Sequence, residues 1–347
     1  MQKESSNNNI LYEVIYVRLF LIIALVFYHA FAVFSGAWAP IAGYPNIPVY
    51  SIMDKLSYAC LLETFVFISG YILGYQVSKK GAEHIRTKQF LIKKIKRLIV
   101  PSILFSILYI LIFNKTNKSF LSTIYDILSG TGHMWFLPML FWCFLFVYIL
   151  EKVRISNKWL VFIFPFMMCL SILPLPFRLD TSMYFFVFFC SGYCIQKYGL
   201  KKYYKTQTVF PIIAVCFLIS FIMKINLNEL YINGGGNCLV ANILNSVISI
   251  ISRFICAVFG IALLMMAAQK IANIKKHTKQ SQLVKLSDCC FGVYIFQQFV
   301  LLLIERTDFA NNVSPYLYPW ITFLIALITS LVLTIIIRRT KVGSKIL

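Results

Sequence analysis

Two ionisable residues, Arg18 and His29, lie within the first long apolar segment of this 347-residue sequence. At about 100° per residue, their spacing places both side chains on one helix face, roughly 16 Å apart along the axis. A neutral imidazole shielded from water can take a proton from a hydroxyl, and a guanidinium can bind a phosphate. The pair therefore predicts a functional site inside a membrane-spanning helix.

Other polar residues can reach the same region of a folded chain. Glu63 opens the second apolar segment, and we expect its carboxylate to orient the imidazole of His29 for general-base acyl transfer. His133 begins the fourth segment on the same side as His29. A basic stretch before the third segment suits the phosphates of a coenzyme A donor, and Arg253 is a further candidate ligand for an anion or carbonyl. The basic stretch consists of Lys93, Lys94, Lys96 and Arg97.

Each of these residues also has an ordinary structural explanation. An intramembrane histidine often bonds a neighbouring helix, and Arg18 could extend to the lipid headgroups. A basic loop after a membrane span can report topology alone. The aromatic residues Trp38, Tyr44 and Tyr50 could form either a sugar platform or an interfacial belt. From these residues alone, catalysis and helix packing both remain open.

The composition predicts an all-α, polytopic integral membrane protein. Hydrophobic residues make up 60% of the chain, charged residues 13%, and the mean hydropathy is +0.78. We predict about ten transmembrane helices in a single domain, residues 1–347. The fifth and sixth segments are the least regular, because Pro165 and Pro174 interrupt the first of them. The segments lie at 14–35, 58–77, 98–113, 134–150, 159–176, 182–197, 208–224, 242–268, 287–304 and 317–337.

The basic residues predict the orientation of the chain and argue against nucleic acid as a partner. Alternate loops hold 25 of the 33 lysines and arginines, which favours cytoplasmic termini in a multi-pass protein of the plasma or inner cell membrane. Residues 1–13 and 338–347 would then be short cytoplasmic tails. The net charge of +21 comes with no aromatic and basic patch on a soluble face, so nucleic-acid binding is excluded. The cysteines show no spacing typical of a metal site, and we expect no metal.

Four motifs occur in a definite order along the chain. Ten residues lie between Arg18 and His29, and FVFISGY follows at 65–71. KKIKRLIVP occupies 93–101, and HMWFLPMLF occupies 133–141. In order and spacing these motifs resemble the membrane acyltransferase-3 family, whose members are mostly O-acetyltransferases of surface glycans and related lipids.

The resemblance implies a reaction and a role for each motif. An acyl group, most simply acetyl, would pass from cytosolic acyl-CoA to a hydroxyl of a surface polysaccharide or lipid-linked sugar. His29 would be the general base, Arg18 and the basic stretch would bind the donor, and membrane lipid would be a further partner. A homo-oligomer is left open. In the ninth helix the family pattern usually closes with histidine, where this chain has glutamine, which cannot act as an acid or base. We assign substrate contacts to Ser69, Tyr71, His133, Trp135 and Gln297.

The alternative is a transporter that exports a lipid-linked glycan or an acylated product through the same polar residues. Transporters of this size often consist of two similar halves with broken helices at matching positions. Here only the short SGY sequence recurs, at 69–71 and 191–193. The sequence therefore favours the enzyme.

Overall fold

The described part of the chain is helical. The computed structural model describes residues 10–113, 119–200, 209–229, 239–274, 280–341 and 343–346, and no strand occurs among them. This confirms the predicted all-α class. The first nine residues of the predicted N-terminal tail lie outside the described residues.

Fifteen α-helices follow one another in the described residues, with short 3₁₀ turns at Ala82–His84, Gly132–Trp135 and Asn157–Trp159 and a π-helical turn at Ile95–Ile99. The helices are α1 (Tyr12–Ser35), α2 (Pro48–Ser57), α3 (Leu61–Lys80), α4 (Lys88–Lys94), α5 (Val100–Phe113), α6 (Phe120–Ser129), α7 (Phe136–Val153), α8 (Leu160–Leu170), α9 (Leu179–Lys197), α10 (Phe210–Glu229), α11 (Leu239–Ile274), α12 (Gln280–Glu305), α13 (Phe309–Asn312), α14 (Tyr318–Arg338) and α15 (Gly343–Ile346).

Eight helical segments of the described chain are long and apolar enough to cross a membrane. The fifth and sixth predicted spans are not among them. The helix α8 has only 11 residues with Pro165 inside it, and α9 has 19 residues but is interrupted by polar side chains. The protein is thus a multi-pass membrane protein, while the count of ten and the cytoplasmic termini stay predictions. The eight segments are Tyr12–Ser35, Pro48–Lys80, Lys88–Phe113, Gly132–Val153, Phe210–Leu227, Leu244–Ile274, Gln282–Glu305 and Tyr318–Arg338.

The helix α9 lies in the interior of the bundle, packed along α3. A Cβ added to Gly70 would collide with the backbone oxygen of Phe189, and one added to Gly192 would collide with that of Phe67. Both glycines belong to the recurring SGY sequence. The recurrence therefore marks the close approach of two helices through small residues, as is common in membrane bundles.

This contact gives a prediction about stability. Gly70→Ala should force α3 and α9 apart, because the atom in the way is backbone and cannot rotate aside. Overpacking of this kind costs about 1–3 kcal/mol, or on the order of 5 °C in the unfolding midpoint. Thermal unfolding of the detergent-solubilised protein measures this shift of the unfolding midpoint. The matched control is Ser78→Leu, on an exposed position of the same helix, and equal midpoints for the two variants would refute the contact's importance.

Candidate active site

A cavity of about 310 Å³ lies inside the bundle, within the size range of small-molecule sites. Its wall combines α1, α3, α4, α7 and α12 with the π-helical turn between α4 and α5. Most of the lining is apolar, and the cationic side chains gather in one part of it. These cations are Arg18, Lys94 and Arg97.

The predicted basic stretch divides between the cavity and the surface. Lys94, which is half-buried, and Arg97, which is exposed, line the cavity, whereas the exposed Lys93 and Lys96 do not line it. The π-helical turn Ile95–Ile99 overlaps this stretch, and such turns are frequent at functional sites.

The cavity is electropositive. Arg18 projects from α1 towards Arg97, and the two guanidinium groups interact electrostatically. The Nζ atom of Lys94 lies 3.7 Å from the centroid of the Phe144 ring. The described residues that line the cavity include no carboxylate, and Asp288 interacts with Arg97 from outside the lining. This arrangement favours an anionic ligand.

His29 lies one helical turn beyond Leu25, the last residue of α1 that lines the cavity. Its Nδ1 atom donates a hydrogen bond to Oε1 of Gln297 at 3.0 Å, and its ring stacks on Trp38 at a centroid distance of 5.7 Å. Because an amide oxygen only accepts, this bond keeps the proton on Nδ1. The Nε2 atom is then free to act as a base.

His133 reaches the same segment of α12 from α7's side of the bundle. It is buried, and its Nε2 atom donates to the carbonyl oxygen of Ile295 at 2.9 Å. Its Nδ1 atom has no hydrogen-bond partner among the described residues. His29 contacts Gln297 two residues further along α12, and the two histidines interact electrostatically.

Tyr294 separates the cavity from the histidines. It lines the cavity, its hydroxyl donates to the carbonyl oxygen of His133 at 2.5 Å, and its ring lies 5.3 Å from the His133 ring. The sequence analysis missed this residue. Its position three residues before Gln297, and so on the same helix face, is a signal that could have identified it.

The family of the protein follows from a comparison with known domains. The family model Acyl_transf_3, described as an acyltransferase domain, matches residues 11–339. The chain belongs to this family. It is therefore a multi-pass membrane acyltransferase, and the resemblance seen in its motifs is confirmed. No curated protein and no solved structure matches the chain.

In this acyltransferase Glu63 has a different partner from the one we predicted. Its Oε1 atom accepts hydrogen bonds from Nε of Arg253 at 2.6 Å and from the hydroxyl of Tyr184 at 3.3 Å. A nearby cation stabilises the negative charge of a buried carboxylate. A charged arginine does so more strongly than a neutral imidazole. The predicted pairing of Glu63 with His29 is thereby corrected, because His29 bonds Gln297 instead. Arg253, predicted as a ligand for an anion or carbonyl, pairs with Glu63 and does not line the basic cavity.

The remaining predicted substrate residues occupy different places. Ser69 lines the cavity. Tyr71 and Trp135 do not, because the hydroxyl of Tyr71 donates to Glu13 on α1 and the indole of Trp135 packs near Phe185. Both residues therefore connect helices in this structure. Within the described ranges, no group of three or more histidine, cysteine, aspartate or glutamate side chains could hold a metal ion.

Proposed function

We propose that this acyltransferase transfers an acyl group, most simply acetyl, from cytosolic acyl-CoA to a hydroxyl of a cell-surface polysaccharide or lipid-linked sugar. The observation that supports it best is the cavity with three cations and no carboxylate among the described residues of its lining. Its lining on α1 extends from Arg18 to Leu25, one helical turn before His29. Acyl-CoA has the matching form, since its phosphates are anionic and its thioester is carried on a long, uncharged arm.

The donor's phosphates would bind Arg18, Lys94 and Arg97 through charge-assisted hydrogen bonds. The pantetheine arm would lie along the apolar walls, with the thioester near Tyr294. Binding in this direction brings the carbonyl carbon to the boundary between the cavity and the two histidines.

The charge distribution of the loops supports an orientation with the basic part of the cavity towards the cytosol. His29 then lies in the outer half of a plasma or inner membrane. Donor and acceptor would approach from opposite sides, so that acyl-CoA need not cross the bilayer. Both termini would be cytoplasmic, as expected for the predicted ten spans.

The chemistry is general-base catalysis by His29. The acceptor hydroxyl oxygen attacks the thioester carbonyl carbon while its proton passes to Nε2 of His29. Collapse of the tetrahedral intermediate breaks the carbon–sulfur bond, and the departing thiolate recovers the proton. The products are an O-acyl ester and free CoA. The hydrogen bond from Nδ1 to Gln297 would hold the ring in the tautomer this step requires.

Transfer of a labelled acetyl group tests the proposal. Purified protein in liposomes is supplied with radiolabelled acetyl-CoA on its basic side and with lipid-linked glycans in the bilayer. We expect an alkali-labile ester on the glycan. Movement of glycan across the bilayer without ester formation would support the transporter instead and reject the enzyme.

The role of Gln297 gives a separate prediction. Gln297→Leu removes the acceptor for Nδ1–H, and kcat should fall by about tenfold to a hundredfold because the ring loses its fixed tautomer. The KM for acyl-CoA should not change, since Gln297 does not line the cavity. Steady-state kinetics separate the two effects.

A conservative variant distinguishes this positioning role from a general packing defect. Gln297→Glu keeps an oxygen acceptor of the same shape, so we expect it to restore most of the lost kcat. A Gln297→Glu enzyme as slow as Gln297→Leu would show that the amide oxygen does not serve by accepting from His29.

A further inference from the structure

A second cavity, of about 370 Å³, lies on the other side of His29 from the basic one. It is formed by the end of α1 with the turn after it, by the C-terminal part of α2, and by α10. By the charge distribution of the loops, these elements face away from the cytosol. The residues that matter here are Tyr28, Asp54, Lys55, Tyr58 and Lys224.

This outer cavity shares a wall with the proposed base. Tyr28 lines it and is the residue before His29, and the two rings lie 5.1 Å apart between centroids. The ring of Tyr58 stacks on Tyr28 at 4.0 Å. A ligand in the outer cavity would therefore lie beside His29, opposite the side on which acyl-CoA is proposed to enter.

Asp54 supplies a hydrogen-bond acceptor to this cavity. Its side chain is buried, with 1% of the residue exposed. The hydroxyl of Ser35, which also lines the cavity, interacts with the carboxylate, but the Oδ1 atom has no hydrogen-bond partner among the described residues. A buried carboxylate oxygen without a donor costs about 1–3 kcal/mol or more, so its presence in a cavity wall requires an explanation. A small rotation of the carboxylate would let a ligand supply the missing donor.

Lys224 supplies the complementary donor. Its Nζ atom donates to the backbone oxygen of Ala59 at 3.1 Å, and an ammonium group has two further N–H bonds to give. The cavity thus presents an acceptor and a donor together with aromatic side chains. This combination suits hydroxyl groups, which donate and accept at once, on a ring whose carbon–hydrogen faces pack against tyrosine.

The charges disfavour two other classes of ligand. The ammonium groups of Lys55 and Lys224 outnumber the carboxylate of Asp54 and repel an organic cation. A fully ionised phosphate has no hydrogen to donate to Oδ1 of Asp54, which lacks a donor, whereas a hydroxyl has one. We propose that the outer cavity binds a neutral sugar unit of the acceptor, with Asp54 accepting from one hydroxyl and Lys224 donating to another. This assignment rests on the proposed function and deepens it, because it names the acceptor subsite and the residues that select it.

Saturation-transfer NMR tests the assignment without requiring turnover. The full-length protein in lipid nanodiscs is mixed with methyl glycosides of glucose, galactose and N-acetylglucosamine, and separately with glycerophosphocholine as a soluble lipid headgroup. We expect at least one glycoside to show transfer. Asp54→Asn should weaken its binding by about tenfold, because the variant loses a charge-assisted hydrogen bond.

Controls keep the result interpretable. Asp308→Asn, on an exposed position outside both cavities, should bind the glycoside as the wild type does. Each variant must also bind CoA normally, which shows that it is folded. Glycoside binding unaffected by Asp54→Asn, binding of glycerophosphocholine instead, or no glycoside binding at all would overturn the assignment. If glycosides bind through Asp54 and no acyl group is ever transferred, the sugar site stands and the proposed reaction fails.

Discussion

Replacing His29 with alanine is expected to lower acyl transfer by about a thousandfold, the typical contribution of a positioned general base. The reason is the geometry at its two ring nitrogens. The Nδ1 atom is bonded to Gln297, which leaves Nε2 as the basic atom of a ring that follows Tyr28 of the outer cavity and lies one helical turn beyond Leu25 of the basic cavity. Without the imidazole, the acceptor hydroxyl must attack without losing its proton first. Single-turnover measurement of labelled acetyl transfer reports this step directly.

The same variant should leave donor binding intact. His29 does not line the basic cavity, so the dissociation constant of CoA should stay within about twofold of the wild-type value. His84→Ala is the matched control, because His84 is exposed in a short turn after α3 and should transfer acyl groups at the normal rate. An active His29→Ala enzyme, with normal CoA binding, would assign proton removal to another group.

Helical periodicity explains why part of this site could be predicted. Arg18 and His29 share a face of a single helix, and a regular helix fixes their relative direction and axial separation from the sequence alone. The SGY sequences likewise have the small residues that favour a close contact between membrane helices. The order of the four motifs was sufficient to indicate the family, which the match over residues 11–339 confirms.

Contacts between segments that are distant in the sequence could not be predicted from helical periodicity or from the order of the motifs. Glu63 and Arg253 are 190 positions apart, and nothing in either local sequence specifies that they meet. The depth of Glu63 in the membrane was predicted from its helix, but depth does not determine which neighbour it faces. The partner of His29 was missed for the same reason, because Gln297 was assigned to the substrate.

The basic stretch shows a further reason why the site could not be fully predicted from the sequence. Four cations lie close together in the sequence, and which of them face the cavity depends on how α4 and the π-helical turn are rotated in the bundle. A π-helical turn changes the angle between successive side chains, so regular 100° spacing cannot be carried through it. Only packing determines that Lys94 and Arg97 line the cavity.

Replacing Arg18 with glutamine is expected to raise the KM for acyl-CoA by about tenfold to a hundredfold with little change in kcat. The guanidinium lines the electropositive part of the cavity with Arg97, and losing one charged hydrogen bond to a phosphate costs about 1.5–3 kcal/mol. Because Arg18 lies roughly 16 Å from His29 along α1, it should not affect the proton transfer itself. Equilibrium binding of CoA to the variant in nanodiscs measures the loss without turnover.

The basic stretch offers an internal control for this prediction. Lys94→Gln removes a cation that lines the cavity, and Lys93→Gln makes the same substitution at its exposed neighbour. If the cavity holds the donor's phosphates, Lys94→Gln should weaken CoA binding together with Arg18→Gln, and Lys93→Gln should not. Equal losses at Lys93 and Lys94 would mean that CoA is attracted by the general positive charge of this surface, and the cavity would then lose its assignment as the donor site.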